Sequence, residues 1–221
     1  MRVTLRTAGL GLSVAASLAY LFAAQWLAAP AVVTLKGLSI ALLGLIAWRE
    51  RQPFLAVALW LSALGDVLLE LGPSRFLLGL AAFLTAHLVY IILFVKHRRR
   101  TAAPAGQWIF PALVAIYGLT LAVWLAPALA DQRAPVFCYI AALIAMVATA
   151  SRANYRSRWV TAGAVLFLIS DSLVGTQHFK TPIPWGGFAV WITYYLGQCG
   201  IALGVLSEPR QPMARPAPAA I

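Results

Sequence analysis

The chain has 221 residues, 62% of them hydrophobic and 10% charged, with a mean hydropathy of +0.84 and a formal net charge of +11. A soluble domain carries about 25% charged residues, whereas here the apolar residues come in runs of about 20, the length that crosses about 30 Å of hydrocarbon. These values exclude a soluble two-layer fold. The basic residues form short clusters between apolar runs rather than one face, which argues against nucleic acid as a partner.

Arg2 and Arg6 precede an apolar run ending near Ala28-Ala29-Pro30-Ala31. The run is about 19 residues long, more than the 7–15 of a cleaved signal sequence, so it reads as the first transmembrane helix. In chain order the predicted helices cover 8–29, 31–48, 54–71, 76–95, 106–126, 134–150, 158–175 and 187–206. Breakers fall between them at Pro30, Pro53, Gly72-Pro73, Pro104, Pro127, Pro135 and the 182–187 stretch. The expected fold is therefore all-α and polytopic, one transmembrane domain over 1–206. A proline-bearing tail over 207–221 reads as disordered and cytoplasmic. Cys138 and Cys199 both lie within apolar segments and imply no disulfide.

Charge gives the expected orientation. Alternate connections carry 13 Lys and Arg on one side (the Arg2, Arg49, Lys96–Arg100, Arg152 and Arg210 neighbourhoods) and 3 on the other, Arg75, Arg133 and Lys180. The rule that cytoplasmic loops are enriched in Lys and Arg then places both termini in the cytoplasm. Trp26, Trp48, Trp108, Trp124, Trp159 and Trp185 fall at predicted helix ends, where aromatic belts form.

Helices three and four read Leu64-Gly65-Asp66-Val67-Leu68 and Phe83-Leu84-Thr85-Ala86-His87-Leu88-Val89-Tyr90. Helices seven and eight read Ile169-Ser170-Asp171-Ser172-Leu173 and Trp191-Ile192-Thr193-Tyr194-Tyr195-Leu196-Gly197-Gln198. Overlaid, Asp66 matches Asp171, His87 matches Tyr195 and Tyr90 matches Gln198, which suggests a parallel 4+4 repeat; chance similarity among apolar helices is the competing reading.

Ionisable groups at membrane depth cost at least about 2.5–3.5 kcal/mol each near the centre, so they define the candidate site. By helical rise, Asp66 and Asp171 sit roughly 6–8 Å below the outer boundary, Lys36 at a similar depth, and His87 and Tyr195 deeper. His87 with Tyr90, and Tyr195 with Gln198, share helix faces at a spacing of three. Together these residues are expected to line one pocket opening toward the outer side. Each also admits a structural reading. The aspartates can pair with a lysine or helix-end amides, Lys36 can snorkel, His87 can bond a carbonyl, and Tyr90, Tyr195 and Gln198 can tie helices together. Glu70 reads as a solvated rim residue, and His178 and Lys180 as outer-loop residues. Two aspartates and a histidine invite a metal, but no His-x-x-x-His pair supports one, and no cofactor motif is present.

The segments Gly65-Asp66-Val67-Leu68-Leu69, Phe76, Gly79-Leu80 and Phe83-Leu84-x-Ala86-His87-x-x-Tyr90 resemble the YhhN-like lysoplasmalogenase family of integral membrane proteins. So do Gly163-Ala164-x-x-Phe167-x-x-Ser170-Asp171-Ser172 and Tyr194-Tyr195-x-x-Gln198. The resemblance runs over roughly 30–206, with one departure: where the family usually has Lys-Pro, this chain has Lys36-Gly37.

The resemblance implies hydrolysis of the vinyl ether of a lysoplasmalogen, a lysophospholipid, to a fatty aldehyde and a glycerophospho-ethanolamine or -choline, with no metal or organic cofactor. Such chemistry needs one carboxylic acid kept protonated by burial and one carboxylate to stabilise an oxocarbenium ion and activate water. Asp66 and Asp171 are the expected acid and base in either order. His87 and Tyr195 would support them, and Lys36, Tyr90, Tyr194 and Gln198 would bind substrate. The expected location is a bacterial inner membrane, with the site on the periplasmic side. The competing class is a small transporter or lipid-binding protein using the carboxylates for protons or a cation. Oligomeric state is not encoded legibly.

Overall fold

The computed structural model describes residues 2–98 and 105–208; Arg99, Arg100 and the tail from 209 lie outside the described residues. Among the described residues eight α-helices form: α1 (Arg2–Ala23), α2 (Ala29–Arg49), α3 (Pro53–Glu70), α4 (Phe76–Lys96), α5 (Ile109–Leu125), α6 (Arg133–Arg152), α7 (Trp159–Phe179) and α8 (Gly186–Leu206). All eight spans are long and apolar enough to cross a membrane, as the spacing of breakers predicts. The protein is an integral membrane protein.

Prolines stand at the starts of α2 and α3, where a missing N–H costs nothing. Gly72, at φ 112°, takes the left-handed turn that ends α3, and Pro73 then opens the short 3-10 turn leading into α4. The largest shifts from the predicted boundaries fall in two helices. Helix α1 begins at Arg2 rather than residue 8 and gives way to a 3-10 turn at Ala24–Trp26, because the helix continues past the apolar run into its basic flank. Helix α7 runs one turn beyond the predicted 175, so His178 belongs to a helix and not to a loop. Its ring stacks on Phe76 at 3.6 Å between centroids, a contact that holds the extra turn in place. At Lys36-Gly37 α2 continues without a break, and Gly37 lets Val67 of α3 approach: a Cβ there would come within 2.6 Å of it.

Packed neighbours close a ring in the order α2, α3, α4, α6, α7, α8 and back to α2. Helix α1 lies outside it against α2 and α8, and α5 lies outside it against α6 and α7. In lipid there is little hydrophobic drive between helices, so close backbone approach through small residues takes over. It is tightest between α7 and α8, where Gly163 faces Gly197 and Gly200 backbone to backbone. The belt tryptophans Trp26, Trp48, Trp108, Trp124, Trp159 and Trp185 are all exposed, whereas Trp191 is buried.

Candidate active site

The ring encloses a chamber of about 100 Å³ to which every helix from α2 to α8 contributes wall. Its lining is apolar, from Leu80, Leu121, Val136, Ile140 and others, apart from a few polar groups that include Asp66, Asp171 and Lys36. The chamber adjoins a more open vestibule of about 370 Å³ that carries Tyr20, Gln177 and His178. Lys36, Phe76 and Trp191 line both spaces and so form the neck between them.

Each aspartate accepts a hydrogen bond from a tyrosine of the second half of the chain, and Asp171 also meets a histidine of the first. Asp66, 3% exposed on α3, accepts a hydrogen bond at Oδ2 from the Tyr194 hydroxyl of α8 (2.7 Å). Asp171 on α7 accepts at Oδ2 from the Tyr139 hydroxyl of α6 (2.6 Å), with His87 Nε2 of α4 at 3.3 Å from the same oxygen. His87 Nε2 also lies 3.1 Å from the Tyr139 oxygen. Because Tyr139 spends its hydrogen on Asp171, its oxygen must accept from His87, which fixes the Nε2–H tautomer. His87 Nδ1 is buried without a partner among the described residues and then carries only a lone pair, the less costly group to leave unpaired.

Lys36 does not reach either aspartate by a hydrogen bond. Its Nζ donates to Glu70 Oε2 (2.8 Å), an oxygen that also accepts from the Tyr20 hydroxyl (3.0 Å). Glu70 is thus the partner of the neck lysine while its side chain stays 26% exposed at the rim, where Tyr20 of α1 reaches it. The amine lies 5.4 Å from the Tyr20 ring centroid and 6.0 Å from that of Trp191, within reach of cation–π attraction.

Of the residues singled out in the sequence, Asp66, Asp171, Lys36 and Tyr194 line the chamber, and His87 stands directly behind Asp171. Tyr195 does not join them. One residue along a helix turns a side chain by about 100°, and Tyr195 points at α1, where its hydroxyl meets Ser13 Oγ at 2.8 Å. Tyr90 and Gln198 are fully buried and bonded to each other (2.7 Å), tying α4 to α8 away from the chamber lining. Tyr139 carries no motif and is invisible among the apolar residues of α6. The available signal is a phenol placed mid-helix on the inward stripe Val136, Ile140, Leu143, since a buried hydroxyl requires a partner.

An integral membrane protein with paired carboxylates at the wall of an apolar, vestibule-fed chamber is the class that this architecture defines. Residues 31–205 match the YhhN family, and the chain belongs to it. It is similar to a lysoplasmalogenase of Mycobacterium bovis, 36% identical over 160 residues, covering 71% of this chain and 61% of that protein. It is also similar to the human lysoplasmalogenase TMEM86B, 32% identical over 152 residues, covering 69% of this chain and 63% of the relative. The chain therefore spans a little over three-fifths of the length of these curated relatives. No solved structure matches it.

Proposed function

We propose that the protein hydrolyses the vinyl ether bond of a lysoplasmalogen, releasing a fatty aldehyde and a glycerophospho-headgroup. The observation that carries this reading is the pair of chamber aspartates, each pinned at Oδ2 by a tyrosine, on walls otherwise suited to a hydrocarbon chain. The kinship with proteins named lysoplasmalogenase supports it.

Donors divide the roles. Tyr139 donates to one oxygen of Asp171, and the single Nε2–H of His87 is shared between that oxygen and the Tyr139 oxygen, an arrangement that complements a carboxylate. Asp66 receives Tyr194 alone and is the more buried, so it is assigned the acid. Asp66 gives its proton to the β-carbon of the vinyl ether, forming an oxocarbenium ion that the Asp171 carboxylate stabilises. Water adds to that cation as Asp171 takes its proton, giving a hemiacetal. Collapse returns the Asp171 proton to the departing glycerol oxygen, and the hemiacetal hydroxyl proton goes to Asp66, restoring both groups. The alkenyl chain lies in the chamber, and the phosphate sits at Lys36 in the neck. The division resembles that of glycosidases, where environment sets two carboxylates to different tasks.

The same reading places the termini in the cytoplasm and the vestibule on the periplasmic side of a bacterial inner membrane, supported by the 13 to 3 division of Lys and Arg. A parallel repeat is supported by one partner of each aspartate coming from the other half, Tyr194 of α8 for Asp66 and His87 of α4 for Asp171, beside the shorter bond that Asp171 takes from Tyr139 of its own half.

The test is aldehyde release by detergent-purified protein from an alkenyl lysophospholipid, with the alkyl ether analogue as control. Release from the first alone supports the assignment; release from neither across several headgroups and pH values removes it. Within this scheme Tyr139→Phe takes one donor from Asp171, and turnover is expected to fall about tenfold, the effect of losing a hydrogen bond to a charged group of about 1.5 kcal/mol. Steady-state kinetics beside a thermal melt check this. An unchanged kcat would detach Tyr139 from the chemistry.

A further inference from the structure

The family match begins at residue 31, so α1 lies outside it, and among the described residues none of α1 lines the chamber. Yet one face of α1 carries Ser13, Ser17 and Tyr20, spaced four and three apart, and all three are bonded into the ring. The Trp191 indole N–H donates to Ser17 Oγ (3.0 Å) and lies 3.3 Å from the Ser17 carbonyl oxygen. Tyr20 donates to Glu70 Oε2, and its ring lies 4.5 Å from that of Trp191. Ser13 donates to the Ser39 carbonyl (2.6 Å) and accepts from Tyr195.

The consequence falls on the neck. Among the described residues Lys36 has one carboxylate partner, Glu70, and the oxygen it uses is the one Tyr20 also holds. Trp191, the aromatic wall shared by chamber and vestibule, has its ring plane fixed by Ser17.

We propose that α1 is a working part of the site: Tyr20 and Ser17 are positioning residues that set Lys36 and Trp191 to receive the phosphate-bearing headgroup of a single-chain lipid. Tyr20 holds Glu70 to one side, so that the Lys36 amine keeps N–H donors directed at the vestibule. Ser17 keeps the indole from swinging into the path between headgroup and chain. The role concerns ground-state binding of a part of the lipid remote from the reacting carbon, so it acts on KM and leaves kcat in place. This rests on the lipid-hydrolase reading for its substrate class, but not on vinyl ether cleavage.

The experiment compares wild type, Tyr20→Phe and Ser17→Ala, with Leu12→Ala on the exposed face of α1 as control. Two readings are taken: kinetics of aldehyde release, and equilibrium binding of a tritiated alkyl lysophosphocholine, which has no vinyl ether. Tyr20→Phe and Ser17→Ala are each expected to raise KM and the alkyl-lipid Kd about tenfold while kcat stays within about twofold, and Leu12→Ala to behave as wild type. Unchanged KM and Kd in both variants would overturn the proposal, as would a loss of kcat at constant KM. Wild-type protein that binds the alkyl lipid but cleaves no alkenyl lipid would remove the vinyl ether reading alone, and the Kd comparison would still decide the role of α1.

Discussion

On the proposed mechanism, Asp66→Asn and Asp171→Asn are each expected to lower aldehyde release by about 10²–10⁴-fold, the range contributed by a positioned proton donor or acceptor. The amide keeps the shape of the side chain and can still accept the tyrosine hydroxyl through its oxygen, so both variants are expected to fold. What each loses is specific. With Asp66→Asn there is no acidic proton to give the vinyl carbon. With Asp171→Asn the side chain neither steadies the cation nor takes a proton from water. The double variant is expected to fall little further than the worse single one, because the two groups act in one sequence of proton transfers. Release rates with melting temperatures in detergent check this. A variant retaining more than about a tenth of wild-type turnover would strike its aspartate from the mechanism.

The second large effect is on folding. A Cβ at Gly163 would meet Gly197 O at 2.5 Å and Ile201 N at 2.7 Å, both backbone atoms of α8 with no rotamer to yield. Gly163→Val is therefore expected to force α7 from α8 and destabilise the protein by about 3 kcal/mol, the upper range for overpacking. The carboxylate pair would suffer with it, since α7 carries Asp171 and α8 carries Tyr194. Gly11→Ala is the matched contrast: among the described residues nothing lies within 4 Å of the added Cβ, and a helical Gly→Ala exchange is neutral or mildly stabilising. Thermal unfolding and monodispersity on gel filtration separate the two. Equal melting temperatures would show that the α7–α8 contact is looser than its geometry implies.

What the sequence makes legible follows from what a membrane penalises. Eight spans are readable because hydrocarbon sets a minimum apolar length and Pro or Gly marks nearly every turn. Asp66 and Asp171 are readable because a carboxylate at that depth is costly unless used or paired. Tyr139 is not, since a phenol in an apolar helix looks like packing until its neighbours are known. The choice between Tyr194 and Tyr195 is hidden for a different reason: adjacent residues on α8 face different helices, and only the ring of partners tells which faces Asp66. Glu70 reads as a rim residue and stays partly exposed, but its bonds to Lys36 and to Tyr20, some 50 residues earlier in the chain, are not visible in the sequence because they join distant segments. The extra turn of α7 escapes because its hold is the stack of His178 on Phe76, a contact between distant segments.

The central claim is that Asp66 protonates carbon. Hydrolysis of an alkenyl lysophospholipid in D₂O, followed by mass spectrometry and chiral analysis of the aldehyde trapped as it forms, tests it most directly. Protonation by a fixed carboxylic acid predicts one solvent deuterium on the carbon next to the aldehyde group, delivered to a single face and lost with turnover in Asp66→Asn. Deuterium spread equally over both faces would contradict the mechanism, because the carbon–hydrogen bond would then have formed in solution from a released enol.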